Sequence, residues 1–116
     1  MAFDKERKYP RVRLEARCIL LYGDCAHEGN VVNISLGGAM ISLNDSAIIP
    51  QEEECLFKIF AGSNETSDEI AAGVVYSTSS CIGVRFLTFD RDSHPHLYAH
   101  IEMLSRNPEK YRVAYP

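Results

Sequence analysis

The sequence has no tryptophan and no apolar run of about 20 residues, the length that a membrane-spanning helix needs. Its first residues, Met1–Arg7, are charged where a secretory signal requires an apolar run, so we expect a cytoplasmic protein without membrane insertion. Basic residues are outnumbered, with 12 Lys and Arg against 16 Asp and Glu and a net charge of −4. Because broad nucleic-acid binding requires excess positive charge, this balance disfavours a nucleic-acid partner.

Metal and disulfide signals are weak. The cysteines lack the Cys-x-x-Cys spacing of zinc sites, and without a secretory context we expect them to be reduced; they are Cys18, Cys25, Cys55 and Cys81. His96 and His100 would be i, i+4 neighbours on a helix, which is good ligand spacing, but no third ligand is evident. We therefore predict exposed helix histidines, with no metal and no cofactor.

Catalytic signals are equally sparse. Ser35 is not part of a Gly-x-Ser-x-Gly elbow, so a nucleophilic serine is not indicated. The run Glu52-Glu53-Glu54 is typical of a solvated loop rather than of an acid–base pair. The sequence therefore predicts a protein that is not an enzyme and has no catalytic residues.

What the sequence does contain is period-two alternation, the pattern of half-buried strands. At 116 residues with 46% hydrophobic and 24% charged residues, it has the length and composition of one globular domain. The strands are joined by turn residues and leave no room for crossover helices, which predicts an all-β antiparallel barrel or sandwich. The predicted strands cover Val12–Tyr22, a segment after Gly29 with Val32 and Ile34 facing the core, Ala39–Leu43, Cys55–Ile59, Ile70–Tyr76 and Ile82–Phe86.

The C-terminal part follows a helical period instead. Leu97, Ile101 and Leu104 recur at i, i+4, i+7 and form one apolar stripe. Asp92 or Ser93 could cap this helix, and Asn107-Pro108 would end it. We therefore expect a single domain with a flexible basic arm at 1–11, a barrel at 12–90, and a helix with a tail at 91–116.

The first polar cluster is Arg7-Lys8-Tyr9-Pro10-Arg11, in which Pro10 keeps the chain extended. Arg7 and Arg11, four residues apart, could close on one ligand from two sides. Each guanidinium is a planar fork that pairs with phosphate or with the O6/N7 edge of guanine. A solvated basic N-terminus is the alternative interpretation.

The second polar cluster is Asn33-Ile34-Ser35-Leu36-Gly37-Gly38. Asn33 and Ser35 are two apart on a strand and would point outward together, where an amide and a hydroxyl could contact the edge of a base. Gly38 would let the backbone approach a ligand or adopt a positive φ. A polar strand end followed by a glycine turn is the alternative.

Together the clusters Arg7-x-x-x-Arg11 and Asn33-x-Ser35-x-x-Gly38, with Ile82-Gly83-Val84-Arg85-Phe86, resemble the PilZ domain family over about residues 6–90. The resemblance implies a six-stranded antiparallel β-barrel of the split-barrel type that binds cyclic di-GMP. It implies that Arg7 and Arg11 contact guanine and phosphate, and that Asn33 and Ser35 contact a guanine edge or a nearby phosphate. Gly38 would keep that surface open. Many family members have aspartate at the position of Asn33.

Two further basic residues are given expected roles because of their charge. Lys8 would add a positive field or a phosphate contact. Arg85 faces away from the apolar side of its strand, and we expect it to pair with a surface acid rather than to support the site.

The leading functional hypothesis is a cyclic di-GMP receptor that changes conformation and signals to an unidentified effector protein in motility, pilus, biofilm or polysaccharide control. The alternative is a PilZ-like interaction adaptor that does not bind the nucleotide. A barrel that binds oligonucleotides is disfavoured, because only Tyr9 lies in the cationic segment for base stacking. The ligand stoichiometry, one nucleotide or two, and the oligomeric state stay open.

Overall fold

A computed structural model describes residues 10–45, 47–60 and 68–106. Within these ranges the chain forms six strands and one helix, and the strands close into a barrel in the order β1-β2-β3-β6-β5-β4. All neighbouring strands are antiparallel. The strands are β1 Arg17–Tyr22, β2 Cys25–Ile34, β3 Gly38–Leu43, β4 Glu54–Phe60, β5 Asp68–Ser77 and β6 Ile82–Phe86, followed by α1 Pro95–Ser105. The predicted six-stranded barrel with one C-terminal helix is confirmed.

The first hairpin is tighter than the sequence indicated. Tyr22 pairs with Cys25, so only Gly23 and Asp24 make the turn, and Gly23 has a φ of +60°. A two-residue hairpin requires such left-handed backbone, which glycine adopts without a steric penalty. β2 consequently begins at Cys25 and not after Gly29 as predicted, because pairing with β1 makes Cys25–Gly29 a strand although its side chains do not alternate in polarity.

The segment before β1 keeps its alternation without being a full strand. β1 begins at Arg17 rather than at Val12, yet Val12 is buried and Arg13 is exposed, as a half-buried strand requires. Val12 forms an isolated antiparallel bridge with Ile34, in which each backbone N–H donates to the carbonyl of the other residue, at 2.8 and 3.0 Å. This bridge attaches the N-terminal segment to the end of β2.

A bulge changes the face of Val32. In the β2–β3 ladder, Val31 pairs with Ile41 and Asn33 pairs with Met40, so Val32 is an extra residue without a partner on β3. Val32 is 45% exposed. The prediction that Val32 faces the core beside Ile34 was therefore wrong, because an inserted residue breaks the strict alternation on which it rested.

A chain of aromatic rings connects the barrel interior to the helix. Phe57 is completely buried on β4 and stacks on Phe86 at a centroid distance of 6.0 Å. Phe86 contacts Phe89 edge-on at 5.1 Å, and Phe89 lies 5.5 Å from the ring of Tyr98 on α1. Aromatic pairs at such distances stabilise beyond the area they bury, so this chain fixes the helix against the barrel.

The helix buries the predicted stripe, since Leu97, Ile101 and Leu104 are all in the core. Its N-cap is His94, which makes no capping hydrogen bond through its side chain, so the predicted cap at Asp92 or Ser93 was wrong. The preceding turn is closed instead by Asp90, whose Oδ1 accepts a hydrogen bond from the Ser93 N–H at 2.7 Å. This hydrogen bond lowers the pKa of Asp90.

Among the described residues, no helix is both long and apolar enough to cross a bilayer. The four cysteines are all free thiols, buried at Cys18 and Cys55 and exposed at Cys25.

Candidate functional site

The Val12–Ile34 bridge brings parts of the two polar clusters together. Arg11 directly precedes Val12, whereas Asn33 and Ser35 flank Ile34. In an antiparallel pair the residue before one partner faces the residue after the other, so the backbone of Arg11 lies beside Ser35. Arg11 is half-buried there. Arg7 and Lys8 of the first cluster lie outside the described residues.

Asn33 occupies the outer face of the barrel, as its spacing predicted. It pairs with Met40, whose neighbours Ala39 and Ile41 point into the core. Asn33 is nevertheless only 4% exposed, which the alternation did not predict. Its Nδ2 lies 3.9 Å from the sulfur of Met40, a weak acceptor, and its Oδ1 is buried with no hydrogen-bond partner among the described residues.

An unpaired buried amide oxygen is chemically informative. Leaving such an acceptor unsatisfied costs about 1–3 kcal/mol. Buried polar atoms in folded proteins are generally hydrogen-bonded, so an exception indicates strain, a missing water or a functional role. Oδ1 of Asn33 is such an exception, an acceptor without a partner among the described residues.

Ser35 shapes the turn between β2 and β3. Its Oγ accepts hydrogen bonds from the backbone N–H groups of Gly37 and Gly38, at 3.1 and 3.2 Å. Its backbone N–H donates to the carbonyl of Gly38 at 2.8 Å. Ser35 is 7% exposed, so the expected outward hydroxyl is buried and engaged in the turn. The hydroxyl in turn donates to the Gly38 carbonyl, at a long donor–acceptor distance of 3.5 Å.

Glycine is required at position 38 because β3 and β6 approach each other closely there. Gly38 pairs with Arg85 at the start of β3, and a Cβ at Gly38 would lie 2.3 Å from the carbonyl oxygen of Val84. Its φ is not positive, so that part of the expectation was wrong. The close β3–β6 contact explains the glycine without a ligand.

Two exposed arginines outside the predicted clusters, Arg17 and Arg85, have different surroundings. Arg17 is exposed and lies over the ring of Phe60, 5.0 Å from its centroid. Arg85 is exposed on β6 and forms no ion pair with any residue in the described ranges. The expected pairing of Arg85 with a surface acid is therefore wrong for the part of the chain that the structure describes.

Titratable groups do not assemble into a metal site. Within residues 10–45, 47–60 and 68–106, no group of three or more His, Cys, Asp or Glu side chains could hold a metal ion. Of the two histidines considered as ligands, His96 is exposed and His100 is half-buried on α1.

These features define a closed antiparallel barrel in which Asn33 and Ser35 lie at the β2–β3 turn, next to the segment that Val12 bridges to Ile34. The family model of the PilZ domain matches residues 5–103. The chain belongs to the PilZ domain family.

Solved structures agree with this assignment at the level of the fold. One is described as the PilZ domain with c-di-GMP of YcgR from Escherichia coli; it has a TM-score of 0.70 and 17% identity, over 90% of this chain and 95% of that one. Another is the Bacillus subtilis inhibitor of motility MotI/DgrA, also with a TM-score of 0.70 and 17% identity over 90% of this chain. This chain spans about half, 52%, of MotI/DgrA. No curated protein matches the sequence.

Proposed function

We propose that this chain is a cyclic di-GMP receptor, not an enzyme, that acts in the cytoplasm and signals to an effector protein. The observation that carries the proposal is the Val12–Ile34 bridge, which sets Arg11 beside Ser35, two residues along β2 from the buried Asn33 whose Oδ1 has no partner among the described residues. The family assignment and the c-di-GMP named with the YcgR structure support it.

The proposed contacts follow from donor and acceptor chemistry. Cyclic di-GMP presents phosphate oxygens and guanine O6 and N7, which accept hydrogen bonds, and guanine N–H groups, which donate them. Arg7 and Arg11 would supply forked donors to phosphate or to O6/N7, and Lys8 would supply a point charge to phosphate. Asn33 Oδ1 would accept from a guanine N–H.

The remaining two residues would act through the turn. The Ser35 hydroxyl would donate its hydrogen to the nucleotide while its oxygen holds the backbone of Gly37 and Gly38. Gly38 would add no side chain at this corner and would keep the surface accessible. Both roles use the turn geometry that already exists in the fold.

Signalling would follow because the nucleotide contacts both the N-terminal arm and the barrel surface. A nucleotide bound by both clusters links the N-terminal arm to the barrel surface and changes the conformation of that arm. The changed surface would then be read by an effector in motility, pilus, biofilm or polysaccharide control. The name of MotI/DgrA, an inhibitor of motility, is consistent with the first of these.

Calorimetric titration with cyclic di-GMP tests the proposal. We expect the wild-type protein to bind and the variants R7A and R11A each to bind at least tenfold more weakly, a loss of about 1.4 kcal/mol or more. R17A is the control: Arg17 is an exposed arginine at the start of β1 that lies over the ring of Phe60 on β4, and this variant should bind like the wild type. The titration also gives the stoichiometry.

Two results would contradict the proposal in different ways. Wild-type affinity in both R7A and R11A would reject the site while leaving binding intact. No binding by the wild-type protein at high micromolar nucleotide would reject the receptor function and favour the adaptor that does not use the nucleotide.

A further inference from the structure

Arg85 lies on the outer face of the barrel. It belongs to a row of paired residues that runs across neighbouring strands and includes Gly38 at the β2–β3 turn. In register, Arg85 pairs with Gly38 on β3 and with Gly73 on β5, so neither neighbouring strand places a side chain beside it. Glu54 on β4 follows in the same row, opposite Gly73, but forms no ion pair with Arg85. The guanidinium rests over Gly73, with Nη2 3.9 Å from where a Cβ would be.

The row continues on its other side to Arg11. Ser35 closes the turn onto Gly38 through its backbone hydrogen bond of 2.8 Å, and the Val12–Ile34 bridge sets Arg11 beside Ser35. Adjacent strands are about 4.8 Å apart, so the backbones of Arg11 and Arg85 are separated by three spacings, or about 14 Å. Two arginine side chains at that separation can contact opposite sides of a ligand that covers the Ser35–Gly38 turn.

Two further observations concern the surroundings of this row. The Phe86 N–H donates to the Gly37 carbonyl at 2.8 Å, which fixes the strand position of Arg85 relative to the turn. Asn33, only 4% exposed, lies in the next outward-facing row with Met40, and its Oδ1 has no hydrogen-bond donor among the described residues.

The available donors favour a base over a phosphate at the Arg85 side. Backbone N–H groups would have to join a single guanidinium to surround a phosphate at this turn, but those of Gly37 and Gly38 already donate to Ser35 Oγ. A planar guanidinium fork matches the O6/N7 edge of guanine. We propose that Arg85 contacts a guanine edge of the bound cyclic dinucleotide from the β6 side, opposite Arg11; this rests on the proposed receptor function.

The test compares R85Q, R85K and R17Q with the wild-type protein by calorimetric titration with cyclic di-GMP, after thermal melts have shown that each variant is folded. R85Q removes the charge and the fork, R85K keeps the charge and removes the fork, and R17Q makes the same charge change on β1. We expect R85Q and R85K both to weaken binding about tenfold or more, and R17Q to bind like the wild type.

The outcomes separate the two proposals. If the wild type binds and R85Q binds equally well, Arg85 is not a contact and this inference fails while the receptor function stands. If R85K restores wild-type affinity, Arg85 acts through charge alone and the guanine contact is rejected. If the wild type does not bind, the receptor function itself fails.

Discussion

At the scale of single residues, Asn33 combines burial with an unpaired acceptor. The side chain is 4% exposed, its Nδ2 reaches only the sulfur of Met40, and its Oδ1 has no partner among the described residues. A leucine, which has the same branched shape, would remove the desolvated polar atoms without opening a cavity. The amide is therefore expected to cost folding free energy, which a hydrogen-bond donor to Oδ1 would recover.

We predict that N33L raises the free energy of unfolding by about 1 kcal/mol when no nucleotide is added, because a buried unsatisfied oxygen is removed. In the same variant, affinity for cyclic di-GMP should fall at least tenfold. Urea unfolding measures the first effect and calorimetry the second. S42A, at an outward position of β3 that pairs with Asn30 and not with Asn33, is the control and should change both quantities little. A marked loss of stability in N33L would show that the amide is needed for folding.

At the scale of elements, the pairing of β6 with its two neighbours uses two glycines for different reasons. A Cβ at Gly38 would lie 2.3 Å from the backbone oxygen of Val84, a distance that backbone atoms cannot accommodate without moving. A Cβ at Gly73 would meet only side-chain atoms at ordinary distances of 3.8 Å and more. The two positions flank Arg85 in the same row but differ in the space above them.

We predict opposite effects of alanine at these positions. G38A should destabilise the protein by about 2–3 kcal/mol, because β3 and β6 must separate to accept the methyl group. G73A should be neutral or stabilising by up to about 1 kcal/mol, because alanine loses less backbone entropy than glycine in a strand. Thermal melts of the two variants give the comparison, and equal destabilisation by both would contradict the close β3–β6 contact.

The bulge in β2 also acts at the scale of the element. With Val32 inserted between the paired residues Val31 and Asn33, the outer face of β2 carries an exposed apolar residue next to the buried amide. Bulges often redirect a side chain next to a functional site. Here the bulge lies directly before the two residues that sequence reasoning assigned to the ligand.

At the scale of the whole molecule, barrel closure removes two thiols from solvent. β1 and β4 pair to close the sheet, and Cys18 and Cys55 point inward from these strands. Burial raises the pKa of Cys18 to about 12 and that of Cys55 to about 11, both from 9.0. A thiolate is the reactive form of cysteine. Burial in the closed barrel therefore slows the reaction of both thiols in two ways, by excluding the reagent and by keeping the sulfur protonated.

We predict that a C25S/C81S variant, which keeps only the two inward thiols, reacts with an aromatic disulfide reagent at pH 8 at the rate of global unfolding. The wild-type protein should show an additional fast phase from the exposed Cys25. In denaturant both should react fully and fast. Fast labelling of the folded double variant would show that the barrel opens locally between β1 and β4.

The same thiols set a pH dependence with a defined sign. Their folded pKa values exceed the unfolded value of 9.0, so the stability that they contribute is fully present below pH 9. It is lost as the pH rises from 9 through 11 and 12, since the unfolded chain releases these protons first. Unfolding midpoints of the C25S/C81S variant measured across this alkaline range would show the decline.

The local pattern of the sequence was enough to predict the elements of this protein. Alternation of apolar and polar residues placed all six strands, and the stripe of Leu97, Ile101 and Leu104 placed the helix, because both periods are set by backbone geometry within one element. The two-part motif was enough to predict the family. Strand starts were less accurate, as at Cys25, because a strand also forms where a partner supplies the hydrogen bonds.

Only the tertiary structure decided register, burial and which clusters meet. The β2 bulge turned Val32 outward. The bridge between Val12 and Ile34 brought Arg11 next to the second cluster, and the pairing of Gly38 with Arg85 placed Arg85 on the other side of that cluster. None of these is encoded in the spacing along one strand. Each depends on which residue of a distant strand lies opposite, and that is settled only when the sheet closes on itself.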